Sequence, residues 1–348
     1  MTIYFDSAAT TPKPDRVIEA IARCYRDEYA TVNRAIYEKS RSLTARYWSV
    51  RERVARFINA PRSDEVVFTK GTTDGLNLLA SSLSSLLEPG DEVAITELEH
   101  HANIVPWQLV CRARGARLVV IPMNERGELG EYTSYLNERT KIVSLAHVTN
   151  TTGAVLPIRA VADAAHAVGA VVVVDGAQAI AHMRVDVQAL GADFYLFSSH
   201  KMYGPTGLGL LYGRLEWLER LPPYQTGGDM VEHVTFEEAT FQPPPLKFEA
   251  GTPPIVQVIG LGEAIRFIEE EVSFAHEARL THYALKALDG KVELVGRPNE
   301  RGSLITFTVP GVHPLDLATL LDIRRFAFRS GHLCAQPTLR AFGIDAAC

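Results

Sequence analysis

An alternation of short apolar runs with helical stretches, from about residue 64 to 212, constrains the fold of this chain most. The apolar runs include residues 92–95, 142–145 and 171–174, and a helix is predicted near 157–168. Continuous apolar strands separated by helices predict a mostly parallel sheet covered by helices on both faces. We therefore expect an α/β fold in which ligands bind at the carboxyl ends of the strands.

The remainder of the chain has a different pattern. Residues 222–254 are rich in proline and include an alternating stretch, which predicts a hairpin and loops able to cover an active site. Further elements are predicted as helices near 256–271, 273–288 and 314–321 and strands near 292–296 and 303–309. We expect a large domain over residues 1–265 and a smaller C-terminal α+β domain over 266–348.

Composition and charge exclude several classes of protein. The 348 residues are 47% apolar, which suits one large or two modest globular domains. The net charge is −6 without a basic block, so neither a nucleic-acid surface nor a membrane-surface helix is expected. We expect no membrane span and no signal peptide. The four cysteines form no disulfide framework and no metal-ligand pattern, which favours the cytoplasm.

Two of the predicted strands are followed by residues that suit one cofactor. Lys201 follows the apolar run 192–196, and Asp175 follows the run 171–174. A lysine amine can bond to the aldehyde of pyridoxal phosphate (PLP), and a carboxylate can keep the pyridine nitrogen protonated so that the ring accepts electrons. Each residue alone is more often a surface charge or a helix cap, so the interpretation depends on the pair.

Phosphate-binding groups are indicated at two places. Ser198 and His200 lie beside the lysine and can bind a phosphate. Residues 71–73 (GTT) close one predicted strand and open a helix predicted near 73–87. Backbone N–H groups at a helix N-terminus, together with hydroxyls, bind phosphate well, although threonine also caps helices routinely.

With these residues the sequence resembles the class V aminotransferase-like PLP enzymes of fold type I, over nearly the whole chain from residue 5. Within them it is similar to the group II cysteine desulfurases (the SufS type) and to the selenocysteine lyases. The resemblance implies that His100 lies over the pyridine ring and moves protons, whereas His101 receives no role. It implies cofactor contacts from further residues, namely Thr72 and Thr73 at the phosphate and Asn150 and Gln178 near the ring hydroxyl. It also implies a homodimer, because Thr252 reaches the phosphate bound by the neighbouring subunit.

The segment 329–334 (RSGHLC) contains a cysteine beside two basic side chains. Cationic neighbours such as Arg329 and His332 lower the pKa of a thiol and favour the nucleophilic thiolate. A lone cysteine is most often an inert buried side chain, but this segment matches the group II signature R-x-G-H-[HL]-C. The resemblance therefore implies that Cys334 is the nucleophile, and the other three cysteines are interpreted as structural.

Two departures from the family pattern concern the substrate. The family motif N-V-H-R-G-[VI]-H reads TVNRAIY at residues 31–37, so Tyr37 replaces a substrate-pocket histidine. The family continues beyond the position of Cys348 with R-A-S-x-x-x-Y-N, whose arginine clamps the substrate carboxylate, and it has an additional N-terminal helix. We therefore interpret the chain as truncated at both ends and weakly active or inactive. Arg34, Tyr37 and Arg329 are the expected substrate contacts.

The function that the resemblance implies is conversion of L-cysteine to L-alanine, with a persulfide formed on Cys334. The sulfur would pass to an acceptor protein of the SufE/SufU type for iron–sulfur cluster assembly. The expected catalytic residues are Lys201, Cys334 and His100, and no metal is expected. Three alternatives remain: a selenocysteine lyase, another class V aminotransferase or epimerase that needs no Cys334, and a PLP-binding paralogue without activity.

Overall fold

The computed structural model describes residues 2–348, and its internal contacts divide the chain into two compact units. Unit one contains the segment that ends at Thr10 together with Leu86–Met183 and Ser273–Cys348, and unit two contains Thr11–Ser85 and Arg184–Val272. The large and small domains expected over residues 1–265 and 266–348 stay a prediction.

Unit one is built around four parallel strands, which lie in the order Arg117–Ile121, Glu92–Thr96, Thr140–Ala146 and Val171–Asp175. Where strand Thr140–Ala146 pairs with strand Val171–Asp175, Ala146 lies opposite Asp175. Helix Ile158–Ala167 packs on this sheet, and its buried residues are Ile158, Val161, Ala162 and Ala165. This spacing places one apolar stripe against the strands, which is why this stretch is helical.

The remaining elements of unit one are short strands and helices. Two small pairs of strands are Ile3–Tyr4 with Phe326–Ala327, parallel, and Glu293–Leu294 with Phe307–Thr308, antiparallel. The other helices are Val105–Arg114, Phe274–Leu288, Pro314–Ile323 and Gln336–Ala341.

Unit two contains three strands that pair antiparallel with one another, in the order Val66–Thr69, Gly209–Gly213 and Phe194–Ser198. A separate hairpin is formed by Val231–Val234 and Ala239–Phe241. Its helices are Asp15–Arg23, Glu38–Phe57, Thr72–Leu83, Val187–Leu190, Leu215–Arg220 and Ile255–Glu271. Helix Ile255–Glu271 is apolar on most of its surface and packs against helices Asp15–Arg23 and Glu38–Phe57, so it forms the helical core of the unit.

The strands differ from the sequence-based expectation in two respects. The strand expected over 192–196 is Phe194–Ser198, because Gly191 ends a helix in the left-handed conformation and residues 192 and 193 complete the turn. Strand Gly209–Gly213 runs antiparallel to its neighbours, because the connection from Ser198, residues 199–208, is short and includes the turn Ser199–Lys201. Parallel strands need a longer crossover.

Across residues 2–348, none of the helices combines the length and the apolar character that crossing a bilayer requires.

Candidate active site

The carboxyl edge of the parallel sheet in unit one carries several of the residues expected at the site. Strands end at Thr96, Ala146 and Asp175, and the segments that follow bring His100 and Asn150 to the same edge. The carboxyl ends of parallel strands meet at one side of a sheet, so residues far apart in sequence are collected there.

Asp175 and Gln178 are both buried at this edge, with 7% and 8% of their surfaces exposed. The Asp175 carboxylate accepts a hydrogen bond from the Ala177 N–H at 2.9 Å, and its backbone carbonyl accepts from the His147 N–H at 2.8 Å. The Gln178 amide donates to the carbonyl of Ala8 at 2.8 Å. Both side chains are therefore fixed by the backbone around them.

His100 is oriented by its own loop. Its Nδ1 accepts the backbone N–H of Ala102 at 3.0 Å, so the neutral imidazole carries its proton on Nε2. The preceding Glu99 is fully buried, and this burial, with a smaller effect of Asp175, raises the pKa of the Glu99 carboxyl to about 7. Burial also lowers the pKa of His147 to about 4, which keeps that ring neutral.

Cys334 lies in a loop with unusual backbone geometry. Leu333 and Cys334 have φ values of 51° and 54°, a left-handed conformation that side chains other than glycine seldom adopt. Two hydrogen bonds hold this pair in place: the Asn150 amide donates to the Leu333 carbonyl at 2.7 Å, and the His101 N–H donates to the Cys334 carbonyl at 2.7 Å. The surrounding structure therefore enforces the conformation of the cysteine.

The four cysteines differ in accessibility. Cys334 is partly exposed, whereas Cys24, Cys111 and Cys348 are buried. Burial raises the pKa of all three buried thiols, that of Cys111 to about 11. A thiol that is buried and hard to ionise is a poor nucleophile, which leaves Cys334 as the reactive candidate.

The basic residues near Cys334 are already engaged. The guanidinium of Arg329 forms an ion pair with Asp6, with 3.2 Å between Nε and Oδ1. Nδ1 of His332 accepts the backbone N–H of Cys334 at 3.2 Å. The expected role of Arg329 in substrate binding therefore requires competition with Asp6, and it stays a prediction.

Unit two contains a group of hydrogen-bonding side chains of the types that bind phosphate. The Thr72 N–H donates to the Ser198 hydroxyl at 2.8 Å, and the two hydroxyl oxygens also lie 2.8 Å apart. Thr72 is the first residue of a 12-residue helix, and Thr73 follows it. A Cβ atom on Gly209 would lie 2.4 Å from the Cα of Gly71, so only glycine allows this approach. The hydroxyls and the helix N-terminus together suit a phosphate.

Lys201 ends the turn Ser199–Lys201, directly after the strand that ends at Ser198. The carbonyl of His200 accepts hydrogen bonds from the Thr11 N–H and from the Lys13 amine, both at 3.0 Å. Burial, with smaller effects of Lys201 and Lys13, lowers the pKa of His200 to about 4. A neutral His200 can offer a phosphate an N–H donor, but no positive charge.

Arg34 and Thr252 line one cavity of about 360 Å³ in unit two. Arg34 forms an ion pair with Asp229, which lines the same cavity. Tyr37 lies directly before helix Glu38–Phe57 and is 52% exposed. Arg34 and Thr252 are therefore brought together, and the roles expected for Arg34, Tyr37 and Thr252 stay predictions.

Several residues near these groups were not identified from the sequence as site residues. Lys13 is a half-buried lysine whose pKa is lowered by burial, and it contacts the segment that carries the expected catalytic lysine. His101 contacts the cysteine loop through its backbone and its ring. The pair of adjacent histidines, His100 and His101, was the sequence signal that could have identified His101. The family resemblance, however, implied a role only for His100.

The residues of each unit fit pyridoxal phosphate when they are taken separately. Unit two offers hydroxyls, a helix N-terminus without an interfering Cβ, and Lys201 at a strand end. Unit one offers a buried carboxylate at a strand end and a neutral imidazole with an Nε2 proton. These are the donor and acceptor types that a phosphate and a pyridinium require.

Comparison with known proteins agrees with this chemistry. The family model described as aminotransferase class-V matches residues 3–348. A probable cysteine desulfurase of Vibrio cholerae is 47% identical over 98% of this chain and 86% of its own length. A probable cysteine desulfurase of Mycolicibacterium paratuberculosis is 45% identical over 99% of this chain, which spans only 51% of that relative.

Solved structures confirm the α/β fold class. The cysteine desulfurase CsdA (S-sulfonic acid) from Escherichia coli has a TM-score of 0.92 and 38% identity, covering 99% of this chain and 88% of that one. The apo cysteine desulfurase from Thermococcus onnurineus NA1 has a TM-score of 0.94 and 36% identity with the same coverage. The predicted mostly parallel sheet with helices matches these structures.

Proposed function

This chain belongs to the aminotransferase class-V family, whose enzymes use pyridoxal phosphate, and we propose that it is a cysteine desulfurase. It would convert L-cysteine to L-alanine and carry the released sulfur on Cys334. The observation that carries the proposal is the loop of Cys334, a partly exposed thiol held in a left-handed conformation by Asn150 and His101. An aminotransferase or epimerase has no need of such a cysteine.

The cofactor would be held by groups from several strand ends. Thr72, Thr73, Ser198 and His200 would bind its phosphate, and Asp175 would hold its pyridine nitrogen in the protonated form. Asn150 and Gln178 would lie near the ring hydroxyl. When bound, the cofactor supplies an electron sink for negative charge at the substrate α-carbon.

The side chains of this chain would carry the remaining chemistry. The Lys201 amine would take the proton from the α-carbon of the substrate. His100 would donate to the substrate the proton that it carries on Nε2. The Cys334 thiolate would attack the substrate sulfur, so that a sulfur–sulfur bond forms as the carbon–sulfur bond breaks. The bonding electrons would stay with the substrate carbon, which is protonated to give alanine.

Finer assignments belong to the same proposal. Sulfur would pass from Cys334 to an acceptor of the SufE/SufU type for iron–sulfur cluster assembly in the cytoplasm. Thr252 would complete the phosphate site of a second copy, which requires a homodimer, and Arg34, Tyr37 or Arg329 would contact the substrate. Arg34 and Thr252 line the same cavity, which supports a shared role near the substrate.

The experiment is a product assay on the purified chain with PLP and a reductant. We expect a visible cofactor absorption band, and alanine and sulfide in equal amounts from L-cysteine. L-selenocysteine in a parallel reaction measures the preference between the two amino acids. Lys201→Ala should lose the band and slow alanine release by about 10²–10⁴-fold, whereas Lys286→Ala, at an exposed helix position, should change neither. An unchanged band in Lys201→Ala, or the absence of alanine from the unaltered chain, contradicts the proposal.

A further inference from the structure

Three side chains of unit one form a cluster that the proposed chemistry uses only in part. His101, His332 and Cys334 each offer one metal-ligand atom, and these three atoms lie within 4.8 Å of one another. The two imidazole rings are 5.7 Å apart between centroids and inclined at 37°. Cys334 is the proposed sulfur carrier, but neither His101 nor His332 transfers a proton or a sulfur atom in the proposed steps.

The backbone holds the cluster together. The His101 N–H donates to the Cys334 carbonyl at 2.7 Å, and the Cys334 N–H donates to Nδ1 of His332 at 3.2 Å. The Gln336 N–H donates to Nε2 of His101 at 3.1 Å. The two segments that supply the ligands are therefore bonded to each other independently of any ion, and the cluster is preformed.

The chemistry of the three groups suits one class of ion. A thiolate and two neutral imidazoles are the ligand types of Zn²⁺ sites, and three protein ligands leave a fourth position for water. Carboxylates, which would favour Mg²⁺ or Ca²⁺, do not belong to the cluster.

We propose that His101, His332 and Cys334 form a reversible Zn²⁺ site that blocks sulfur transfer when it is occupied. Zn²⁺ replaces the thiol proton of Cys334, which is released to solvent, and no oxidation or reduction takes place. One nitrogen of each imidazole already accepts a backbone N–H, and an ion that used these nitrogens would displace the two hydrogen bonds. With three protein ligands rather than four, binding is weaker than at a dedicated structural zinc site and can be reversed by chelators.

The inhibitory effect rests on the proposed function, because it requires Cys334 to carry sulfur. Zinc binding itself does not depend on that function. A thiolate bound to Zn²⁺ shares a lone pair with the metal and is held in its coordination shell, which makes it a weaker nucleophile toward the substrate sulfur. The availability of Zn²⁺ would thus set the fraction of the chain that can accept sulfur.

The test measures zinc binding to the reduced, PLP-loaded chain by competition with a chromophoric chelator. His101→Gln and His332→Asn are the informative variants, because each keeps a side-chain acceptor near the position of the nitrogen that it replaces. His282→Gln, at an exposed position of helix Phe274–Leu288, is the matched control. Co²⁺ binding, followed by its thiolate absorption band, provides a readout that is independent of activity.

We expect one equivalent of Zn²⁺ per chain and a loss of affinity of at least about tenfold in each informative variant, with no change in His282→Gln. The Co²⁺ thiolate band should disappear in Cys334→Ser. His101→Gln should require at least about tenfold more Zn²⁺ to halve its own rate of alanine release.

Two results overturn this inference: equal zinc affinity in all the histidine variants, or a Co²⁺ thiolate band that survives in Cys334→Ser. If the chain binds zinc through these residues but releases no alanine from cysteine, the proposed function fails and the zinc site stands. If alanine is released normally but zinc affinity does not respond to the variants, the proposed function stands and the zinc site fails.

Discussion

The side-chain amide of Asn150 donates a hydrogen bond to the carbonyl oxygen of Leu333 at 2.7 Å. Asn150 follows a central strand of the parallel sheet, and Leu333 directly precedes the proposed sulfur carrier. A residue expected to contact only the cofactor thus also fixes the loop that carries the thiol. With the cofactor contact that is proposed for Asn150, one amide would couple cofactor binding to placement of the nucleophile.

Asn150→Ala is expected to loosen the cysteine loop. Loss of one hydrogen bond should lower the free energy of unfolding by about 0.5–1.5 kcal/mol, and misplacement of the thiol should slow sulfur transfer by up to about a hundredfold. Denaturant unfolding and alanine release measure the two effects. Asn299→Ala, which removes a hydrogen bond of an exposed loop to Glu128, is the control. Unaltered turnover in Asn150→Ala would show that the coupling has no catalytic role.

Cys334→Ser should retain the cofactor absorption band and lose sulfur transfer, because a hydroxyl cannot carry a persulfide. In the unaltered chain, iodoacetamide should label Cys334 first, since the other three thiols are buried. Mass spectrometry of the labelled peptides and a sulfide assay check both statements. Cys111→Ala should keep the activity at some cost in stability. Full desulfurase activity in Cys334→Ser would assign the chemistry to another residue.

Arg51 and Glu249 form a buried ion pair whose disruption should be costly. The two guanidinium nitrogens donate to the two carboxylate oxygens at 2.6 and 2.8 Å, and Glu249 also accepts the Phe68 N–H at 2.7 Å. Arg51→Ala leaves a buried carboxylate unpaired and should lower the free energy of unfolding by about 3–5 kcal/mol.

The same substitution should weaken PLP binding, because Glu249 connects the strand before Thr72 to the segment before Thr252. Arg53→Ala removes a partly exposed pair with Glu269 and should cost only about 0–1 kcal/mol. Urea unfolding of both variants with and without PLP measures these effects. Equal losses of unfolding free energy in the two variants would mean that burial does not determine how much the Arg51–Glu249 pair contributes to stability.

His147 should make the stability of the protein depend on pH. Burial lowers its pKa from 6.5 to about 4, so the folded state binds its proton less readily than the unfolded state. Its contribution is complete above pH 6.5 and is lost as the pH falls towards 4, by up to about 3 kcal/mol. His147→Gln should therefore lose less stability over this range than the unaltered chain. Urea unfolding at a series of pH values tests this against His282→Gln, and parallel curves for all three proteins would refute it.

Local patterns were sufficient for the elements that form the parallel sheet. The helix predicted near 157–168 is Ile158–Ala167, and the apolar run 171–174 is the strand Val171–Asp175. Their signals are periodic and lie within one window of sequence. Helix Glu38–Phe57 was not predicted, because the fully buried Arg51 interrupts its apolar stripe. The partner that allows this burial is Glu249, 198 residues away.

At the candidate site, too, the sequence indicated local segments but not the contacts between residues far apart in the chain. Lys201, Asp175 and Cys334 were recognised because each lies in a short and distinctive segment. The contact of His101 with the cysteine loop joins residues from two distant segments, and the spacing of the four cysteines alone indicated no metal pattern. The left-handed φ values of Leu333 and Cys334 could not be predicted from the sequence either, since neither residue is a type that favours this conformation.

The way the chain is distributed between its units has a consequence for protein synthesis. Unit two combines Thr11–Ser85 with Arg184–Val272, and most of unit one is made between and after these segments. At about 5–20 residues per second, the ribosome needs roughly five to twenty seconds to pass from the first segment of unit two to the second. During that interval helix Glu38–Phe57 has neither Glu249 nor helix Ile255–Glu271 to pack against. The apolar residues of this helix therefore stay exposed in the nascent chain until residue 272 has emerged. The yield of folded protein in cells should depend on chaperones that bind such segments during this time.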